Sequence, residues 1–272
     1  MVRKSLVTYL AIGAAARTLC ELSISCVRRM GWDGDIAILS DAPVAPGDAR
    51  VHTVEVPAWQ LNLNPDADSW GYEFDIRDMS RANNVGDVIK QLTPVLHRYI
   101  DISGYDLVLQ LDVDIVPVSP MPEIFNVLFD MKNDFGVSRN ERSELKRVGA
   151  SAGNLSFWEH LRYSRGPVIN SGIFFYRPSQ VSMNILRDWQ AELCRRVRGD
   201  QAALQAILFR KWKSQIDILE ENFQAYPPTP RRYKGIETLQ PVHSYFAHFR
   251  GAVGDPVVMK DYIKKFGILD AS

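Results

Sequence analysis

Asp112 and Asp114 are the residues whose type and spacing most directly suggest chemistry. They lie in Tyr105-Asp106-Leu107-Val108-Leu109-Gln110-Leu111-Asp112-Val113-Asp114-Ile115-Val116-Pro117-Val118, an apolar run that delivers two carboxylates and then turns apolar again. Alternate side chains of an extended strand share a face, so the spacing predicts two carboxylates pointing the same way. Burying two ionised carboxylates in apolar surroundings is costly unless something offsets their charge. A divalent cation does so, and Mg²⁺ and Mn²⁺ prefer oxygen ligands and also bind phosphates. The pair therefore points to an enzyme that handles a phosphorylated substrate. The competing reading is a solvated carboxylate pair at a strand end.

The elements around the pair read as an α/β chain. Leu6 to Ile12 forms a strand, Ala14 to Met30 a helix, and Ile36 to Leu39 and Val51 to Val56 two further strands. That alternation predicts parallel pairing in one sheet. Val85 to Ile100 reads as a helix bent at Pro94, because proline lacks the N–H that a helix interior needs. Tyr105 to Leu111 is the central strand, Pro122 to Met131 a short helix and Phe135 to Ser138 a strand. Val168 to Tyr176 is a strand carrying Asn170-Ser171-Gly172, and Gln180 to Arg196 and Gln201 to Trp212 are helices. Residues 57–84 hold no steady period and read as a long surface excursion. Asp66 and Asp68 repeat the aspartate spacing there without an apolar strand before them, so they read as solvated loop carboxylates. Arg139 to Arg165 is a basic-leaning insertion, either a solvated face or a cover over a phosphorylated ligand. Trp59, Trp70, Tyr72, Trp158 and Tyr163 lie in these two loops and either pin them down or stack on sugar rings.

Bulk composition narrows the class. At 272 residues, with 46% hydrophobic and 24% charged residues, the chain fits one α/β domain spanning 1–272. Lys plus Arg and Asp plus Glu both number 32, so there is no excess of positive charge for gripping nucleic acid. Cys20, Cys26 and Cys194 form no C-x-x-C pair, which argues against a zinc site and for a reducing, cytoplasmic setting. Arg3 and Lys4 precede the apolar run Leu6 to Ala16, as in a secretion signal, but Thr8 and Tyr9 interrupt it and favour a buried first strand. No stretch has the roughly 18 apolar residues of a membrane span.

Four short patterns occur in one order: Asp112-Val113-Asp114, Asn170-Ser171-Gly172, Asp200-Gln201 and His248-Phe249-Arg250-Gly251. Singly each has a bland reading. A strand glycine often marks only close backbone approach, an aspartate at a helix start is an ordinary cap, and a histidine between aromatic residues is often just packed. Together and in this order, over roughly residues 5 to 255, they resemble glycosyltransferase family 8 and its GT-A relatives. The resemblance implies a Rossmann-like nucleotide-diphosphosugar transferase fold with a mostly parallel central sheet. It implies a metal-dependent transferase moving a sugar from a nucleotide-diphosphate donor to a hydroxyl or glycan acceptor, with retention.

By the same resemblance, Asp112, Asp114 and His248 would hold Mn²⁺ or Mg²⁺, with His243 as the competing histidine. Val113 would lie near the donor ribose through its backbone. Ala11, Lys90 and Gly251 would complete the donor site, Lys90 and Gly251 at the diphosphate. Asn170 and Ser171 would face the acceptor, and Asp200 and Gln201 the donor sugar. A UDP-sugar is the first expectation, but two departures leave the base open. The family's carboxylate after strand one is missing from Ala11-Ile12-Gly13-Ala14-Ala15-Ala16, and Ala252-Val253-Gly254-Asp255-Pro256 replaces its Lys-Pro-Trp. Arg250 is a candidate to substitute for the lost lysine. Three rivals remain: a haloacid dehalogenase type phosphohydrolase with Asp112 as nucleophile, a nucleotidyltransferase, and a non-catalytic nucleotide-sugar binding module.

Overall fold

The computed structural model describes residues 3–45, 47–55, 92–140, 167–196, 200–227, 237, 239–249 and 256–268. Its main sheet is built from β1 (Ser5–Ala11), β2 (Asp35–Ser40), β3 (Val51–Glu55), β4 (Leu107–Leu111), β6 (Phe135–Arg139), β7 (Ile169–Tyr176) and β8 (Asp217–Ile218). Three short strands, β5 (Ile115–Pro117), β9 (Gln224–Ala225) and β10 (Phe246–His248), form a second sheet in the order β5-β10-β9. The helices are α1 (Ala14–Arg29), α2 (Met121–Phe129), α3 (Gln180–Arg196), α4 (Asp200–Ile207) and α5 (Pro256–Lys265).

The main sheet has the order β3-β2-β1-β4-β7-β6-β8. β3, β2, β1 and β4 run parallel, and so do β6 and β8. Only β7 is antiparallel to its neighbours, β4 and β6. The expected mostly parallel α/β sheet is what the chain forms.

Period two along the strands divides the core into two layers. Val7, Tyr9 and Ala11 of β1 and Leu107, Leu109 and Leu111 of β4 pack with α1, α2, β10 and α5. Leu6 and Val108, pointing the other way, pack with α3 and α4. A sheet covered on both faces requires such continuous apolar strands. α1 supplies a stripe of Ala16, Leu19, Cys20, Ser23, Ile24 and Val27, spaced to keep one helical face on the sheet. Thr8 and Gln110, partners in the β1–β4 register, satisfy each other by a 2.6 Å hydrogen bond inside the core.

Several boundaries differ from the sequence expectation. Within the expected helix Val85 to Ile100, residues 85–91 lie outside the described residues, and Thr93–Arg98 is a 3₁₀ helix. Pro94 stands in its opening turn, where its missing N–H breaks no bond. The expected helix Gln201 to Trp212 is α4 followed by a π-helical turn over Leu208–Trp212. Among the described residues, no helix is long and apolar enough to cross a membrane.

Candidate metal centre

Asp112 is the first residue beyond β4. Its N–H donates to Gly172 O at 2.8 Å, extending the β4–β7 ladder one step past the Leu111–Ile173 pair. The chain then turns, with Ile115 N–H donating to Asp112 O at 3.2 Å, and leaves as β5. The two aspartates therefore meet across a turn between two sheets. The strand pleat expected from their spacing does not bring them together, because β4 ends at Leu111.

β5 carries the turn to its third member. His248 pairs with Ile115 in the antiparallel β5–β10 ladder, and Phe249 N–H donates to Asp114 O at 2.8 Å. This sets His248 Nε2 at 3.4 Å from Asp114 Oδ1. One ligand atom from each of Asp112, Asp114 and His248 lies within 4.8 Å of the others. Asp114 and His248 are each only 5% exposed, and Asp112 is half-buried. The competing His243 is exposed and outside this cluster. From below, Ser23 Oγ of α1 donates to Ile115 O at 2.5 Å and lies 2.9 Å from Tyr9 Oη, so β5 is anchored to the first layer of the core.

Gly172 opens the centre. A Cβ there would sit 2.7 Å from Asp112 Oδ2, 2.9 Å from Asn170 Oδ1 and 3.1 Å from His248 Cε1. The close approach that a strand glycine permits is here an approach to three polar side chains. The β6–β7 register jumps from Val137–Phe174 to Ser138–Asn170, which takes Gly172 out of the pairing with β6. Gly172 N–H turns instead to Asn170 Oδ1 at 2.7 Å. Asn170 Nδ2 donates to Tyr226 Oη at 2.7 Å, and Tyr226 Oη donates to Asn140 Oδ1 at 2.8 Å.

The structure thus gathers Asp112, Asp114, His248 and Asn170, with Val113 buried in the turn between the aspartates. Asp200 joins through one neighbour. It begins α4, is 7% exposed, and its Oδ2 accepts the Ser171 hydroxyl at 2.7 Å. A carboxylate in the first turn of a helix also sits favourably in the helix dipole. Gln201 follows it, half-buried. Lys90, Arg250 and Gly251 lie outside the described residues, as do Asp66, Asp68, both loop aromatic groups and residues 141–166 of the basic insertion.

Ala11 ends β1 two strand positions from β3, and its O accepts the Ser40 hydroxyl at 2.7 Å. No carboxylate follows Ala11 closely in the sequence, but one from the end of β2 approaches the end of β1 in space. Asp41, just beyond β2, accepts Gly13 N–H at 3.0 Å and pairs with Arg17. Burial acts to raise the Asp41 carboxyl, but the Gly13 and Arg17 donors outweigh it and hold it below the usual carboxylate value.

Sequence reasoning also missed Gln224 and Tyr226. Gln224 is 3% exposed, and its Oε1 lies 3.3 Å from His248 Nδ1. The Tyr226 ring lies 5.1 Å from the His248 ring at 34°. Their spacing of two is the local signal, and it straddles the end of a strand of two residues, Gln224–Ala225.

A family model described as nucleotide-diphospho-sugar transferase matches residues 102–252, the stretch that carries the whole cluster. No curated protein sequence matches the chain. Among solved structures, mouse xyloside xylosyltransferase 1 in its apo form is 14% identical, with a TM-score of 0.57 over 93% of this chain and 99% of that one. Galactosyltransferase LgtC, in complex with donor and acceptor sugar analogues, is 16% identical, with a TM-score of 0.52 over 98% and 97%. The bifunctional glycosyltransferase WbbM in its apo form is 12% identical, with a TM-score of 0.55 over 98% of this chain and 50% of that one. At these identities the likeness is one of fold, and the fold is the GT-A type.

Proposed function

The chain belongs to the nucleotide-diphospho-sugar transferase family, and on that footing we propose that it transfers a sugar from a nucleotide-diphosphate donor, bound beside a divalent cation, to a hydroxyl acceptor. The observation that carries the proposal is the meeting of Asp112, Asp114 and His248 at a glycine that leaves the space between them clear. Two carboxylate oxygens and an imidazole nitrogen suit Mn²⁺, or Mg²⁺ with additional oxygen ligands. Two adjoining carboxylates, one of them buried, are a donor set that an incoming cation would stabilise.

When bound, the cation supplies Lewis-acid neutralisation of the charge that develops on the departing nucleoside diphosphate. The remaining work falls to the chain. Asp112 and Asp114 present fixed negative charge from a turn braced by three backbone hydrogen bonds. Asn170 is held by its bonds to Gly172 and Tyr226 and faces the acceptor in this reading. Asp200, oriented by Ser171, and its neighbour Gln201 serve the donor sugar. Val113 bears on the ribose, Ala11 on the nucleoside, and Lys90 and Gly251 on the diphosphate. UDP is the proposed nucleotide and retention the proposed stereochemistry, both from the family 8 resemblance. One domain over 1–272 and a cytoplasmic setting belong to the same proposal, the latter supported by buried free thiols at Cys20 and Cys26.

A thermal-unfolding panel of nucleotide-sugars, with and without Mn²⁺, tests the reading, because a ligand that binds the native state raises apparent stability. A Mn²⁺-dependent rise with one nucleotide class is the expected outcome. No rise with any nucleotide-sugar, in an intact protein, would sink the proposal.

A further inference from the structure

Gln224 stands behind His248, on the side away from the aspartates. Its Nε2 donates to Arg139 O at 3.0 Å. A backbone carbonyl can only accept, so the amide NH₂ must face Arg139 and the amide oxygen must face His248. That oxygen lies 3.3 Å from His248 Nδ1. An amide oxygen also only accepts, so Nδ1 is the ring nitrogen that carries hydrogen. Nε2, the atom 3.4 Å from the equally acceptor-only Asp114 Oδ1, then either carries a second hydrogen or, with a cation between the two, presents its lone pair to that cation.

We infer that Gln224 is a positioning residue that sets the His248 tautomer and so aims Nε2 at the cation site. The inference rests on the proposed metal-ligand role of Asp112, Asp114 and His248. Three observations reach it independently of that role. Gln224 is 3% exposed and His248 5%, so water does not compete freely for either side chain. β9 runs parallel to β10 with Gln224 opposite Phe246, which fixes the glutamine backbone relative to the histidine strand. Tyr226, two residues on, lays its ring against the imidazole and limits its rotation. Arg139 is the last residue of β6, so this support ties the β10 histidine to an interior strand of the main sheet. Hydrogen-bond partners behind a ligating histidine fix its orientation, and their loss weakens metal binding by about 10- to 100-fold.

Two measurements test it. The first is ¹⁵N NMR of the His248 ring in the whole wild-type chain, with and without Mg²⁺. Nδ1 should show the protonated-type shift in both states, and an unprotonated Nδ1 would overturn the inference whatever the metal does. The second is Mn²⁺ affinity by titration of free Mn²⁺ signal. Gln224→Met, which keeps the bulk and loses the acceptor, should bind about 10- to 100-fold more weakly. Gln224→Glu keeps an acceptor for Nδ1 and should stay within a few-fold of wild type. Equal affinity in Gln224→Met and wild type would overturn the inference. Failure of the wild type to bind Mn²⁺ would instead strike at the metal-ligand reading, and the NMR result would still decide the tautomer. Should Gln224→Met fail to fold, Gln224→Glu and the wild-type spectrum carry the test.

Discussion

The ends of β1 and β2 differ sharply from the end of β4 and the β10 strand that meets it, although β2, β1 and β4 are parallel neighbours in one sheet. At β1 and β2, the Asp41 carboxylate already has Arg17 and the Gly13 amide, and both side chains remain about a quarter exposed. At β4 and β10, Asp114 and His248 are nearly inaccessible, and Asp112 adds a second carboxylate to theirs. The first region balances its charge from within. The second gathers negative charge and surrounds it with oriented neutral groups, Asn170, Gln224 and Tyr226. An internally balanced pair tolerates water, whereas two adjoining carboxylates and an imidazole suit an incoming cation. In the proposed reading, the ends of β4 and β10 carry the charge that serves the reaction, and the ends of β1 and β2 form a positioning surface.

Four substitutions probe this contrast, in descending order of effect. Asp114→Asn should lower Mn²⁺-dependent transfer by roughly 10²- to 10³-fold, the scale for losing one preorganised electrostatic group. Steady-state kinetics, with circular dichroism to verify the fold, would check it, and full activity would erase the difference between the two regions. Gly172→Ala should press a methyl group onto Asp112 and Asn170 and cost about 1–3 kcal/mol by overpacking. Denaturant unfolding measures that cost, and Mn²⁺ titration should show weakened binding as well. Tyr226→Phe removes one hydroxyl that serves both Asn170 and Asn140. About 1 kcal/mol of stability should go with it, with a larger change in acceptor KM than in donor KM.

Asp41→Asn should change least. Its pair with Arg17 is partly exposed, which limits its worth to about 0–1 kcal/mol. The sign of its pH dependence follows from the lowered carboxyl. Its stabilisation is present above the unfolded carboxylate pKa of about 3.9 and is lost as pH falls through the lower folded value. Stability between pH 5 and the acid limit should therefore fall slightly less steeply in the variant, by about 0–1 kcal/mol, with Mn²⁺ affinity unchanged. A loss of Mn²⁺ binding in Asp41→Asn would join the two regions into one electrostatic unit.

Much of this was legible in the chain. The strand and helix alternation over residues 5–56, the central strand and the Asp-x-Asp pair all follow from local period and residue type. Asp112 and Asp114 do lie together, but a turn rather than the expected strand pleat unites them. The choice of His248 over His243 depends on which histidine reaches the β5–β10 ladder, and three-residue strands leave almost no periodic trace. Asp41 and Gln224 act at sequence separations of 28 and 24, on Gly13 and His248 respectively, and no local pattern announces such partners. Gly172 was visible as a glycine in a strand, but only its neighbours in space reveal what its missing side chain spares.

Phe249 N–H closes onto Asp114 O across most of the second half of the chain. During synthesis, the first four parallel strands can assemble while the ribosome has yet to make β10. Until that last short strand emerges and docks, the Asp112–Asp114 turn stands without the histidine that completes the cluster.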